Sequence, residues 1–338
     1  MKLGRETYQP VCEEALSLYP FTCHPRSIRP LEAGLESHDS SVRAELWKVE
    51  TVTGPMLLRR WPVEHPTTEH LEFVHAVLWH AANEGFDRIA APVITNDGRG
   101  FVFVKDHLWQ LEPWMYGSPD YAVAQSEDKL AGALMALAEF HNAVSSFPIA
   151  QSPLAISSDI QERLRRLRRM VACDFERIVG ETLAKSLPAP VEDAAHRILR
   201  AAPPLFGNLM TLLTRGSRLV GPVQPCLRGV RAKHVFYEED YVTGLVDFVS
   251  LGVDSPALDV AALLSEMAGQ DPHLWNLGLN AYQLYRELSD DERYLIVAFD
   301  RTRSLTYGLS QIQQSDPNRE TLELTADCLE AIVDSLSI

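Results

Sequence analysis

The chain has 338 residues, too long for one compact core and comfortable for two unequal lobes. Hydrophobic residues make up 46% and charged residues 23%, ordinary for a soluble globular protein, and no apolar run approaches the ~20 residues that span a bilayer. The formal net charge of −15 argues against nucleic acid as a bulk partner, because the summed field repels a polyanion.

The start, Met1-Lys2-Leu3-Gly4-Arg5-Glu6, carries charge where a signal peptide places its apolar stretch, which points to a cytoplasmic protein with no membrane partner. Five dispersed cysteines form no Cys-x-x-Cys pair, so reduced thiols are expected. After an extension over residues 1–33, the stretch from about Arg43 to Pro62 reads as a β-hairpin turning at Thr53-Gly54-Pro55. A helix follows over about Thr68–Asn83, with Leu71, Val74, Leu78 and Ala81/Ala82 on one stripe. Pro92 to Trp114 reads as β again, with Asn96-Asp97-Gly98 as the turn between Val93-Ile94 and Phe101–Val104.

After Gly117 the pattern becomes helical. Residues 127–145 repeat apolar positions at spacings of three and four, and residues 158–180 do the same with Leu164, Leu167, Val171 and Ile178 inward. A second hairpin pairs Val235-Phe236-Tyr237 with Val242–Val246, turning through Glu238-Glu239-Asp240. Ser255 then caps a helix that has Pro256 at its first position, and helices run to the end. A β-rich 34–115 followed by a helical 116–338 with one inserted hairpin predicts an α+β, protein-kinase-like, two-lobed fold with a small antiparallel N-lobe and a larger C-lobe.

The second hairpin carries the chemistry. Val246-Asp247-Phe248 delivers an acid to a strand end after apolar residues, a placement that packing explains poorly and metal-bound triphosphate chemistry requires. Other features read more simply as structure. His65, His70, His75 and His80 recur every five residues, each step turning ~140° on a helix, so they cannot converge on a metal. The run Arg163–Arg169 has the composition of an anion site, but its leucines keep the helical stripe and leave the arginines on the solvated face. Trp109 and Trp114 suit either the flanks of an adenine or the core.

The linked stretches Gln224–Val230, His234-Val235-Phe236, Val242–Phe248 and Asp254–Ala261 resemble the aminoglycoside phosphotransferase and choline kinase-like superfamily. Further similar stretches are Trp47–Thr51, Leu58–Pro62, His75–His80 and Trp109–Trp114. The resemblance runs from Gly34 to about Met267 and implies ATP- and Mg²⁺-dependent phosphoryl transfer to the hydroxyl of a small molecule. It implies Asp247 as a metal-binding acid and His234 as a second metal-binding or loop-stabilising residue, beside Arg228 in the catalytic loop. The catalytic Asp of that loop falls on Gly229, and no other acid lies between Pro225 and His234. On the nucleotide side it implies Arg59, or Arg60, as the phosphate-binding cation, with Glu72 (less well Glu69) as the helical partner and Glu112 beside the cofactor. Two-residue alternation favours Arg59, which shares a face with Leu57. The phosphate loop reads Asp39-Ser40-Ser41-Val42-Arg43, without glycine and with an acid that repels phosphate. Gly229 and this loop together raise the alternative of an inactive pseudokinase that binds a ligand or a partner.

Overall fold

The computed structural model describes residues 8–31, 44–314 and 317–336. In chain order the elements are α1 (Gln9–Leu16), β1 (Ser27–Pro30), β2 (Glu45–Glu50), β3 (Pro55–Arg60), α2 (Thr68–Asn83), β4 (Phe101–Val104), β5 (His107–Pro113) and α3 (Glu127–Ala143). Next come β6 (Leu154–Ala155), α4 (Ser158–Arg169), α5 (Phe175–Leu183), α6 (Ala189–Gly216), β7 (Gly221–Pro222), β8 (Gln224–Cys226), β9 (Val235–Glu238) and β10 (Tyr241–Leu245). The chain finishes with β11 (Gly252–Asp254), α7 (Ala257–Met267), α8 (Pro272–Gln283), α9 (Asp290–Gln313) and α10 (Arg319–Leu336). The fold is α+β and kinase-like: a small antiparallel sheet followed by a mainly helical remainder. Among the described residues, no helix is long and apolar enough to cross a membrane.

The chain forms two compact units. The first contains the residues up to Pro148, Gly229–Gly252 and Leu279–Arg286; the second contains the rest. In the first unit five strands pair antiparallel in the order β1-β2-β3-β5-β4. Side-chain alternation gives the sheet two faces. Trp47, Val49, Leu58, Trp109 and Leu111 point one way and bury against Cys12, Ala15, Leu16 and Tyr19, from α1 and the residues after it. Leu108 and Phe101 point the other way and pack with Trp61 and Leu71 of α2. The described part of the N-terminal extension thus contributes to the core. Its helix has only eight residues and no side-chain cap, so it carries little local signal and takes its stability from the sheet beneath it.

α2 begins where expected, with the Thr67 side chain accepting from the His70 N–H at 3.2 Å, and Gly85 supplies the left-handed turn (φ 91°) after its end. Its histidines diverge as the five-residue step requires. His70 faces the Val249 carbonyl (2.6 Å), His75 faces Gln110 and His80 faces Ser146 (2.9 Å). The β reading of 92–114 needs correction. The hairpin turns at Lys105-Asp106, both in the left-handed region (φ 50° and 62°), whereas Val93-Ile94 is not strand. Asn96-Asp97-Gly98 closes a separate turn held by Thr95, whose hydroxyl donates to the Arg99 carbonyl. An aspartate tolerates the positive φ almost as well as asparagine, so Lys-Asp does the work that Asn-Gly advertises more loudly.

In the second unit the helix expected over 158–180 is two helices, α4 and α5, joined by a π-helical turn at Met170–Asp174. The extra residue rotates the stripe by ~100°, so Leu164, Leu167 and Ile178 are buried while Val171 is 47% exposed. Ser255 does not cap α7: the helix starts at Ala257, Pro256 stands at the cap position, and the Ser255 carbonyl accepts from Leu258 N.

Candidate active site

Strand β3 puts Arg59 and Arg60 on opposite faces of the sheet. Arg60 lies over the ring of Trp109 (5.7 Å) on the α1 side and pairs with Glu45. Arg59 lies on the α2 side, with its guanidinium over Trp61 (4.9 Å) and Nη2 donating to Glu112 Oε1 at 3.0 Å. The helical partner expected at Glu72 is replaced by a strand partner, because Glu72 is exposed on α2 while Glu112 sits two residues along β5 from the position opposite Arg59. Arg59 Nε is buried and has no acceptor. A buried guanidinium N–H without a partner is costly, and an acceptor oxygen is the group it lacks.

Glu112 is held in turn. Gln110 donates to Glu112 Oε2 (2.5 Å), and His75 Nε2 donates to Gln110 Oε1 (3.0 Å), forming a chain His75–Gln110–Glu112–Arg59. His75 is 1% exposed, and Gly100 makes room for it: a Cβ at position 100 would come within 2.1 Å of Nδ1. Sequence reasoning missed Gln110 and His75, although period-two alternation along β5 already put Gln110 and Glu112 on one face.

Burial disfavours the imidazolium of His75 and, against the smaller opposing effect of the Gln110 hydrogen bond, holds its pKa at about 4. Between that value and the ordinary ~6.5, the unfolded chain binds a proton that the folded chain refuses. Stability contributed by neutral His75 is therefore complete above about pH 6.5 and is lost as pH falls toward 4. Urea denaturation at pH 7 and pH 5 should differ by about 2 kcal/mol from this group. His75→Gln should lower stability at pH 7 and flatten the difference; an unchanged acid limb in the variant would assign it to other groups.

The acid after β10 joins the same cleft. Arg59, Glu112, Gln110 and Asp247 line a narrow recess of about 30 Å³, floored by Leu71, Val74 and Leu78 of α2. Asp247 has φ 66°, a left-handed conformation two residues beyond the last strand residue, Leu245. Its Oδ2 lies 3.3 Å from His234 Nε2. Non-glycine residues in this region of backbone space are strained by ~1–3 kcal/mol when the surroundings impose it, and such strain gathers at functional sites.

Within the second unit, the segment that ends at Arg228 is tied down by its backbone. Asp259, fully buried in α7, accepts from the backbone N–H of Leu227 (2.6 Å) and of Arg228 (2.8 Å). Arg228 itself is left-handed (φ 57°) and exposed. Asp254 accepts from Ser157 Oγ (2.5 Å), Ser158 Oγ (2.6 Å), Asp159 N (2.9 Å) and Ser255 N (2.8 Å), which anchors the start of α4. Both acids position backbone. Gly229 is exposed beside Ser250, and its own backbone lies outside the left-handed region. Of the tryptophans, Trp109 is core, stacked on Trp47 at 5.3 Å, and Trp114 is half-buried under the Lys48 ammonium at 4.6 Å. The loop Asp39–Arg43 lies outside the described residues.

Solved structures share this fold. An amicoumacin kinase, solved with AMP-PNP, Ca²⁺ and Ami, superposes with a TM-score of 0.63 at 13% identity, over 97% of this chain and 94% of that one. A spectinomycin phosphotransferase in its AMP-bound complex gives 0.64 at 12% identity over 98% and 99%. An aminoglycoside phosphotransferase from Alicyclobacillus acidocaldarius subsp. acidocaldarius DSM 446 gives 0.59 at 18% identity over 100% and 96%. No curated protein matches the sequence. The profile of the phosphotransferase enzyme family matches residues 35–294, and the chain belongs to that family.

Proposed function

We propose that the protein binds ATP with Mg²⁺ at the Arg59–Asp247 cleft and transfers the γ-phosphoryl group to a hydroxyl of a small molecule, slowly, because position 229 carries no carboxylate. One observation carries this reading: Arg59 Nε, buried and short of an acceptor, lines the same recess as Asp247. The recess has space for only roughly two waters, so phosphate oxygens would meet Arg59 at its mouth. The AMP-PNP and AMP bound to the amicoumacin kinase and the spectinomycin phosphotransferase support a nucleotide as the ligand.

When bound, Mg-ATP supplies the phosphoryl group and a cation that offsets its charge. Arg59 offers its guanidinium to a phosphate oxygen at the mouth of the recess, and Glu112, fixed through Gln110 and His75, keeps the guanidinium aimed. Asp247 offers a carboxylate to the cation, and His234 orients it or joins it as a ligand. Residues 34–115 are then the nucleotide side, and 116–338 carry the loop and the acceptor site. The second reading, a ligand-binding pseudokinase, is favoured by Gly229, since glycine neither accepts a proton nor orients a hydroxyl.

Calorimetric titration with ATP, with and without Mg²⁺, tests the shared premise. Saturable Mg²⁺-dependent binding is expected, and Arg59→Gln should weaken it about tenfold, as loss of a charge-assisted hydrogen bond does. Absence of binding, or binding indifferent to Arg59, overturns the assignment of the cleft.

A further inference from the structure

The helical second unit contains a larger cavity that the proposed reaction leaves unexplained. Its volume is about 560 Å³, within the range of small-molecule sites, and α4, the π-helical turn, α6 and α9 all line it. Its floor is apolar: Leu209, Leu213, Leu305 and Leu309, each at most 3% exposed. Its wall includes four guanidiniums, Arg163, Arg166, Arg169 and Arg303, against three carboxylates, with Glu266 pairing Arg303 from outside the lining (3.6 Å).

The carboxylates are already engaged. Asp159 accepts from Arg163 (2.6 Å), Glu162 from Arg166 (2.7 Å) and Asp174 from Arg169 (2.8 Å). Arg163 is spent on the scaffold, donating also to the Phe299 carbonyl and Thr302. Arg166 and Arg169 differ. They are 70% and 74% exposed, and each meets its carboxylate through Nε. A guanidinium is weakly hydrated and suited to a second oxyanion. The π-helical turn contributes Met170 and Asp174 to the wall. Such turns gather at functional sites, and a methionine adapts to varied apolar shapes.

We infer that this cavity is a binding site for an anionic amphiphile, a small molecule whose apolar body lies on the leucine floor and whose acidic head meets Arg166 and Arg169. A cationic ligand would meet the exposed guanidiniums of Arg166 and Arg169, and a wholly polar one would leave the leucines without a partner. The arginine run thus keeps its solvated face and gains a use for two members of it.

The probe is 8-anilinonaphthalene-1-sulfonate, an aromatic body with one sulfonate, titrated by fluorescence into the full chain. One saturable site is expected, unaffected by saturating Mg-ATP. Arg166→Gln with Arg169→Gln should weaken it about tenfold with an unchanged melting temperature, and the two-fold Glu replacement should weaken it further. Dansylcadaverine, a cationic aromatic amine, should bind poorly to the wild type. Absence of saturable binding, equal binding by the Gln pair, equal binding of the cationic amine, or displacement of the sulfonate by Mg-ATP would each overturn the proposal. Apart from displacement by Mg-ATP, none of these outcomes depends on whether ATP binds, so failure of the nucleotide reading is told apart by its own titration.

Discussion

Replacing Asp247 with asparagine should remove most of the Mg²⁺ dependence of ATP binding while leaving the fold intact. The backbone reason is specific. Position 247 is left-handed (φ 66°), a conformation that asparagine adopts more readily than other non-glycine residues, so the substitution changes charge and not chain path. The side chain is 22% exposed and faces His234, so screening by water is limited and the loss of the carboxylate is felt locally. A hard divalent cation prefers an anionic oxygen to an amide oxygen, and losing such a contact amounts to about 2–3 kcal/mol, ~10²-fold in affinity. Calorimetry with ATP at several Mg²⁺ concentrations measures it. A variant with wild-type affinity and wild-type Mg²⁺ dependence would remove Asp247 from the metal role.

Much of this site is legible without coordinates, for identifiable reasons. Asp247 stands out because Leu245 and Val246 precede it, and Arg59 because side chains alternate along a strand. The partner of Arg59 is not legible in the same way. Glu72 has the right type on the right helix, but whether it points at β3 depends on the rotation of α2 about its own axis, and neighbouring acids on a helix differ by 100° steps. Glu112 wins because β5 hydrogen-bonds directly to β3, which fixes the distance. Asp254 and Asp259, which follow Asp247 closely in the chain, show a different limit. An acid near a metal-binding motif invites a chemical role, whereas these two spend their oxygens on backbone N–H groups and serine hydroxyls. Burial of a carboxylate requires such partners, and only the tertiary fold says which ones arrive.

The π-helical turn has the same origin. Nothing in Met170-Val171-Ala172-Cys173-Asp174 breaks a helix, so local preference reads straight through it. The turn is decided by how α4 and α5 each meet the rest of their unit, and its consequence is the exposure of Val171.

Replacing Gly229 with aspartate separates the two readings of function. The spacing from Gly229 to His234 keeps the loop length that the resemblance implies, and Asp259 ties Leu227 and Arg228, just before it, by their N–H groups. The position also accepts a side chain. A Cβ there would lie 3.5 Å from Ser250 Cβ and Oγ, ordinary contact, and the backbone of Gly229 is not left-handed, so no conformational strain opposes the change. The new carboxylate would stand on the loop where an acceptor hydroxyl should arrive, with Asp247 of the same unit available for the cation. If the protein is an enzyme hampered only at its base, ATP turnover by Gly229→Asp should exceed that of the wild type by ~10²-fold, the lower end of what a general base contributes. The rise should vanish in the double variant with Asp247→Asn, because phosphoryl transfer depends mainly on positioning and charge and a base alone cannot replace the cation. Coupled-enzyme detection of ADP measures all three proteins. Mg-ATP binding without any gain in the single variant would instead mark the protein as a nucleotide-binding pseudokinase, in which the acceptor never reaches position 229.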